Sequence, residues 1–254
     1  MRNCAGHSFA KLLLMVGCCA VVCPTSSAKD KDKPKPSGSH VVDSGTFGVF
    51  NSGARVATET FTVEQSATGS VIASQFKSAQ GEQVAEQSSE LQLAPSAELR
   101  KYEWKETSPE KITATVVPDE AFLIEHFTNG SDNKVHDQNF LLSASTAILD
   151  DYFFVQREVL AWRYLASACK VNNSAPSCPM HQKVQFGSLN PHARNSMSVG
   201  IEYAGRDKVN LHGKERELSR FLMTSEAGDW SLWFDDQLKL VRLLSDGGME
   251  VVRD

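Results

Sequence analysis

The sequence predicts a mainly β protein: a strongly curved antiparallel sheet, half-barrel or barrel-like, with one long helix packed in its concave face. Three observations predict it. Arg55 to Glu64 alternates Val56, Thr58, Thr60 and Thr62 with Ala57, Glu59, Phe61 and Val63, the period-two signature of a half-buried strand. Similar short runs, divided by turn residues, recur over most of the chain. A single stretch without Gly or Pro, Ala147 to Ala168, instead repeats its apolar residues every three or four positions, which is the helical period.

The elements follow in order. Gly45 to Phe50 reads as a strand that turns at Asn51-Ser52-Gly53 into Arg55 to Glu64. Gly69 breaks the run, and Ser70 to Lys77 returns as its hairpin partner. Gln83 to Leu93, Leu99 to Glu106, Lys111 to Val117 and Ala121 to Phe127 continue the series, and Asn129-Gly130 turns into Val135 to Leu142, since that dipeptide favours a two-residue hairpin loop.

The helix is expected over 146–168, capped by Ser143, Ser145 or Thr146. Ile148, Tyr152, Val155, Val159 and Trp162 form one apolar stripe, with Leu149, Phe153, Leu160 and Tyr164 beside it. So wide an arc predicts a mostly buried helix, and 22 residues would reach about 33 Å. Beyond it, Gln182 to Phe186, Ser196 to Tyr203, Val209 to Leu211 and Glu217 to Thr224 read as strands. Trp230 to Phe234, Leu238 to Leu244 and Met249 to Arg253 read as a closing meander, turning at Asp235-Asp236 and Asp246-Gly247-Gly248. An open sheet of this size has to curl or be covered, because its edges are unpaired and one face is apolar.

The N-terminal region reads as an export signal over residues 1–28. Arg2 and Lys11 precede the apolar run Leu12 to Cys23, and Ser26-Ser27-Ala28 offers a small-x-small cleavage site. Twelve apolar residues are too few to span a bilayer, which needs about 20. A competing reading is a lipobox at Met15-Val16-Gly17-Cys18, which would leave the protein lipid-anchored at Cys18. Residues 29–40 (KDKDKPKPSGSH) contain no apolar side chain and read as a solvated linker. The folded part is then one domain over 41–254, exported to the periplasm or outside the cell, with no transmembrane span. Its 20 basic and 29 acidic residues give a net charge of −9, which argues against nucleic acid.

Chemistry is sparsely signalled. No Gly-x-Ser-x-Gly occurs, and no Ser-x-x-Lys opens the helix. Glu125, His126, His136 and Asp137 flank the Asn129-Gly130 turn, so a hairpin could bring both histidines together, but nothing there has tight metal-ligand spacing. No metal and no cofactor is expected. Asp150-Asp151 is read as favouring the dipole in the first helical turn, and Asp235-Asp236 as a turn. Cys169 and Cys178, the only cysteines after residue 23, read as a structural disulfide pinning the helix exit, worth about 2–3 kcal/mol. Arg163 falls between the two apolar stripes. It needs an ion pair with a strand Glu or a route to solvent, or else it anchors an acidic head group.

Gly45-Thr46-Phe47 with Val56-Ala57-Thr58-Glu59-Thr60-Phe61 resembles the opening strand pair of uncharacterised exported bacterial proteins of the lipoprotein-carrier-like half-barrel type. Leu149-Asp150-Asp151 leading into Leu160-Ala161-Trp162-Arg163-Tyr164 resembles their helix. Trp233 to Arg242, closing in Glu250-Val251-Val252-Arg253, resembles their terminal hairpins. The resemblance implies a fold that can hold a hydrophobic ligand, and it carries over no catalytic residue. The expectation is therefore a non-enzymatic protein holding a lipid, acyl chain or peptide, with Arg163, Tyr152, Val155, Val159 and Trp162 as candidate ligand contacts. The alternative is an envelope scaffold whose helix fills the hollow and whose partner is another envelope protein.

Overall fold

A computed structural model describes residues 38–78, 84–128, 134–172 and 175–254. The export signal, Cys18, most of the linker, the Asn129-Gly130 turn and Gln83 lie outside them. The first meander comprises β1 (His40–Asn51), β2 (Ala54–Ser66), β3 (Gly69–Ser78), β4 (Glu86–Leu93), β5 (Leu99–Ser108), β6 (Ile112–Asp119), β7 (Phe122–Thr128) and β8 (Val135–Phe140). Then come β9 (Ala147–Ile148), α1 (Val155–Ala168) and the small hairpin β10 (Lys170–Asn172) and β11 (Ala175–Ser177). The second meander comprises β12 (Val184–Asn190), β13 (Asn195–Leu211), β14 (Lys214–Ser225), β15 (Trp230–Phe234), β16 (Leu240–Ser245) and β17 (Met249–Arg253).

Fifteen strands form one sheet in the order β8-β7-β6-β5-β4-β3-β2-β1-β17-β16-β15-β14-β13-β12-β9. The two meanders join where the first and last strands pair, Phe47 opposite Arg253 and Val49 opposite Val251. The sheet is not closed, since β8 and β9 are its two ends. Ladders between successive strands are antiparallel, whereas β9 lies parallel to β12.

The alternation in β2 holds. Ala57, Glu59, Phe61 and Val63 are buried, whereas Thr58 and Thr62 are half-buried and Thr60 is exposed. The buried face continues through Ile72, Ser74 and Phe76 of β3 and Leu91 of β4 into Tyr102 and Trp104 of β5. This face and the buried residues of α1 belong to one apolar cluster.

The helix begins at Val155, nine residues later than the expected 146. Ala147 and Ile148 pair with Ser188 and Leu189 of β12, and the Leu149 N–H donates to the Leu189 carbonyl. The Asp150 N–H goes to Gln156 Oε1. Ala147 and Ile148 are held in a strand, the helix starts at Val155, and at 14 residues it is only about 21 Å long. Its start is also not capped by Ser143, Ser145 or Thr146. The Phe154 and Val155 N–H groups instead donate to the Glu59 carboxyl at 2.7 and 3.4 Å. A carboxyl group from a neighbouring strand thus takes the place of a local cap.

Two further differences concern the second half of the chain. The segment after Cys169, read as a loop, forms the β10–β11 hairpin, and the Cys169–Cys178 disulfide closes its base. The strands expected at 196–203 and 209–211 are one strand, β13, interrupted by a bulge between Tyr203 and Gly205. Gly205 has φ +103° there, a conformation that glycine adopts without steric cost. Beyond the bulge, Val209, Leu211 and Leu218 of the β13–β14 hairpin pack with Trp233 and Val241 in a second, separate core. Near the hairpin's tip, His212 Nε2 lies 3.0 Å from the Arg253 carbonyl oxygen.

Candidate functional site

Three of the five predicted ligand contacts come together. Val159, Trp162 and Arg163 line a groove of about 180 Å³ with Val63 of β2, Ile72 of β3 and Leu93 of β4. Helical spacing explains the first two, since positions three and four apart share a face. Trp162 is fixed by its indole N–H, which donates to the Leu238 carbonyl at 2.7 Å. Arg163 is half-buried, and among the described residues it forms no ion pair with a strand glutamate. One N–H donates to the Ser145 carbonyl at 2.7 Å, and the guanidinium lies over the Phe186 ring. Ser70 and Arg163 are the polar members of this lining.

The other two residues lie elsewhere. Val155 is fully buried in the core. Tyr152 precedes the helix and packs edge-on against Phe76 and beside His192. Cys169 and Cys178 are bonded, as their isolation in the sequence implied.

A polar cluster at the helix start has no counterpart in the sequence reading. Asp150 is fully buried. Its Oδ2 accepts the Tyr102 hydroxyl at 2.6 Å and lies 2.6 Å from His192 Nδ1, and its Oδ1 accepts the Tyr152 N–H at 3.0 Å. Asp150 therefore serves as a buried acceptor and not as a dipole partner inside the first helical turn. The His192 ring stacks on Trp104 with centroids 3.8 Å apart. From the same turn, Arg194 lies 3.7 Å over the Phe127 ring, and Gln138 donates to its carbonyl. The turn between β12 and β13 thus docks on the buried side of β5 and β7, using one cation over an aromatic ring and one imidazole stack.

Three carboxyls in this interior are displaced upward. Burial pushes Glu59 up to about 7, against hydrogen bonds from Ser74 and the Phe154 and Val155 amides. Burial likewise pushes Glu125 up to about 7, with Arg194 pulling it down and Asp150 pushing it up. Burial also holds Glu158 well above its ordinary value, helped by the neighbouring charge of Asp43. Burial alone would raise Asp43 too, but the hydrogen bonds from Arg253 and Lys239 hold it below the usual range. Arg253 grips both Asp43 oxygens at 3.1 and 2.6 Å, and Glu158 accepts the Leu240 N–H at 2.8 Å. The Glu158–Leu240 bond ties α1 to β16, and the Arg253–Asp43 pair ties β17 to β1.

The β7–β8 hairpin does not bring His126 and His136 together. Their register pairs His126 with Asp137 and Phe127 with His136. Adjacent register positions point to opposite faces. His126 Nδ1 accordingly sits 2.7 Å from Asp137, and His136 stacks on Phe127. Among the described residues no group of three His, Cys, Asp or Glu side chains is placed to hold a metal ion. No described helix is long and apolar enough to cross a membrane. No family model, curated protein or solved structure matches the chain.

Proposed function

We propose that this is an exported, non-enzymatic binding protein that holds the apolar end of an anionic amphiphile, such as a fatty acid. The ligand would sit between the helix and a strongly curved, half-barrel sheet of the lipoprotein-carrier-like type. The observation that carries this reading is the open groove between α1 and β2–β4. Its walls are apolar, and Arg163, with four further N–H donors beyond the one given to Ser145, lines it. The disulfide favours an oxidising compartment.

The groove's 180 Å³ falls short of the roughly 300–1,000 Å³ of a pocket for a drug-sized ligand. It suits a partial occupant of about six methylenes, each worth about 0.8 kcal/mol when buried. Much of that gain is lost to the cost of association, so affinities in the micromolar to millimolar range are expected.

Intrinsic tryptophan fluorescence, to which Trp162 in the groove contributes, supplies the assay. Dodecanoate should bind more tightly than dodecanol, and Arg163→Leu should remove that preference while dodecanol binding and the folded circular dichroism spectrum are retained. Equal binding of the two ligands to the native protein, or an unchanged preference in the variant, would sink the anchor role of Arg163.

A second reading, an envelope scaffold with a helix-filled hollow, is favoured by the complete burial of Phe153 and Tyr164. Protein purified from its native envelope separates the two. An added mass of a few hundred daltons, lost on denaturation, supports the carrier, and a bare mass supports the scaffold.

A further inference from the structure

A second concavity, of about 570 Å³, lies on the exposed face of β2, β3 and β4 and shares no residue with the groove beside α1. Six of its side chains form a grid set by the strand register. Thr60, Gln75 and Ser88 stand side by side in one row. Thr58, Lys77 and Glu86 make the next row, two residues along each strand. Residues two apart share a face, and neighbouring strands lie about 4.8 Å apart. Each four-residue cell of this grid therefore has roughly the footprint of one pyranose ring.

The chemistry of the grid is specific. Lys77 and Glu86 neutralise each other at 2.6 Å, so the surface carries no net charge to draw an anion or a cation. Thr58 Oγ1 accepts from Arg55 Nε at 3.3 Å. Among the described residues the side chains of Thr60, Gln75 and Ser88 make no hydrogen bond, which leaves two hydroxyls and an amide to serve a ligand. Hydroxyl and amide groups each donate and accept. A dense set of them on an uncharged surface matches a ligand that is itself dense in hydroxyls. Phe76 is the one apolar side chain of the lining and is itself buried in the core, so an acyl chain has little to gain there. A peptide strand needs an open edge to add to, whereas β2, β3 and β4 are paired on both sides.

We propose that this crevice is a binding site for a neutral oligosaccharide, held by Thr60, Gln75 and Ser88. The test uses the folded protein with maltotriose, cellotriose, xylotriose and triacetylchitotriose, read by saturation-transfer NMR and calorimetry. At least one of these should bind. The triple variant Thr60→Val, Gln75→Ala, Ser88→Ala should then weaken that binding at least about tenfold, since it removes three groups that can hydrogen-bond the sugar. The replaced side chains have no hydrogen-bond partners among the described residues, so the variant should keep the native melting temperature, and Arg163→Leu should leave saccharide binding intact. The proposal is overturned if none of the four binds at 10 mM or so, if binding survives the triple variant, or if trigalacturonate binds more tightly than every neutral sugar.

Discussion

Glu59→Gln makes a demanding test of the interior electrostatics. Glu59 is fully buried, accepts the first two amides of the helix start, and takes the Ser74 hydroxyl at 2.7 Å. Burial lifts its carboxyl from 4.5 to about 7, so the folded state binds the proton more tightly than the unfolded chain does. Stability from this group is therefore complete below about pH 4.5, falls as the pH rises to about 7, and is flat above that. At about 1.4 kcal/mol per pH unit, the fall amounts to roughly 3 kcal/mol. Glutamine retains a carbonyl oxygen for the Phe154 amide and has no charge to desolvate. Urea unfolding followed by tryptophan fluorescence at pH 4.5, 6 and 7.5 should show a native midpoint that drops with pH. Glu59→Gln should lie close to the native protein at pH 4.5 and be more stable by about 3 kcal/mol at pH 7.5, with the m-value unchanged. The reasoning is refuted if the variant is destabilised by a constant amount across the range. That outcome would mean Glu59 is ionised in the fold and held by Arg157, whose positive charge lowers its pKa.

Three further perturbations separate local from global effects. His192→Ala removes a partner of buried Asp150 and the Trp104 stack, so it should cost roughly 2–4 kcal/mol. Hydrogen exchange should then rise first in residues 191–194 and 99–104, and a uniform rise over the whole sheet would contradict the docking role of this turn. Replacing both Cys169 and Cys178 with Ala should cost about 2–3 kcal/mol for so short a loop. Native mass spectrometry and circular dichroism should still report an ordered sheet. Gly69→Ala combines a disfavoured φ of +136° with a Cβ driven into the Leu93 carbonyl oxygen. It should destabilise by more than about 2 kcal/mol, and a thermal midpoint within a degree or two of native would show that the β2–β3 turn can shift.

Local patterning made most of the strands legible. The alternation at Arg55–Glu64 placed β2, and the last three strands lie within two residues of where the sequence put them. The helix starts later than its period suggests because Leu149, Tyr152 and Phe153 continue that period behind two residues, Ala147 and Ile148, that pair with β12 as a strand. Periodicity records which side chains are apolar and not where a backbone N–H is satisfied. The β13 bulge had a signal in Gly205 inside a strand-like run. Glu59 offered a fainter one, a charged residue on the apolar face of β2, and the Asp150 cluster offered none. Asp150, Tyr102 and His192 are 48 and 42 residues apart in pairs, and nothing local to any of them foretells the contact.

The sequence by itself determined the β-rich class, the order of strands along the chain, the single helix and the disulfide. Those follow from side-chain period, turn chemistry and cysteine count, all of which are local. Only the tertiary structure decided that β1 pairs with β17, that Glu59 caps the helix, and that Val159, Trp162 and Arg163 share a groove while Tyr152 and Val155 do not. Each of these is a choice among distant partners. Burial drives that choice through total apolar area and hydrogen-bond satisfaction, and one chain position alone encodes neither.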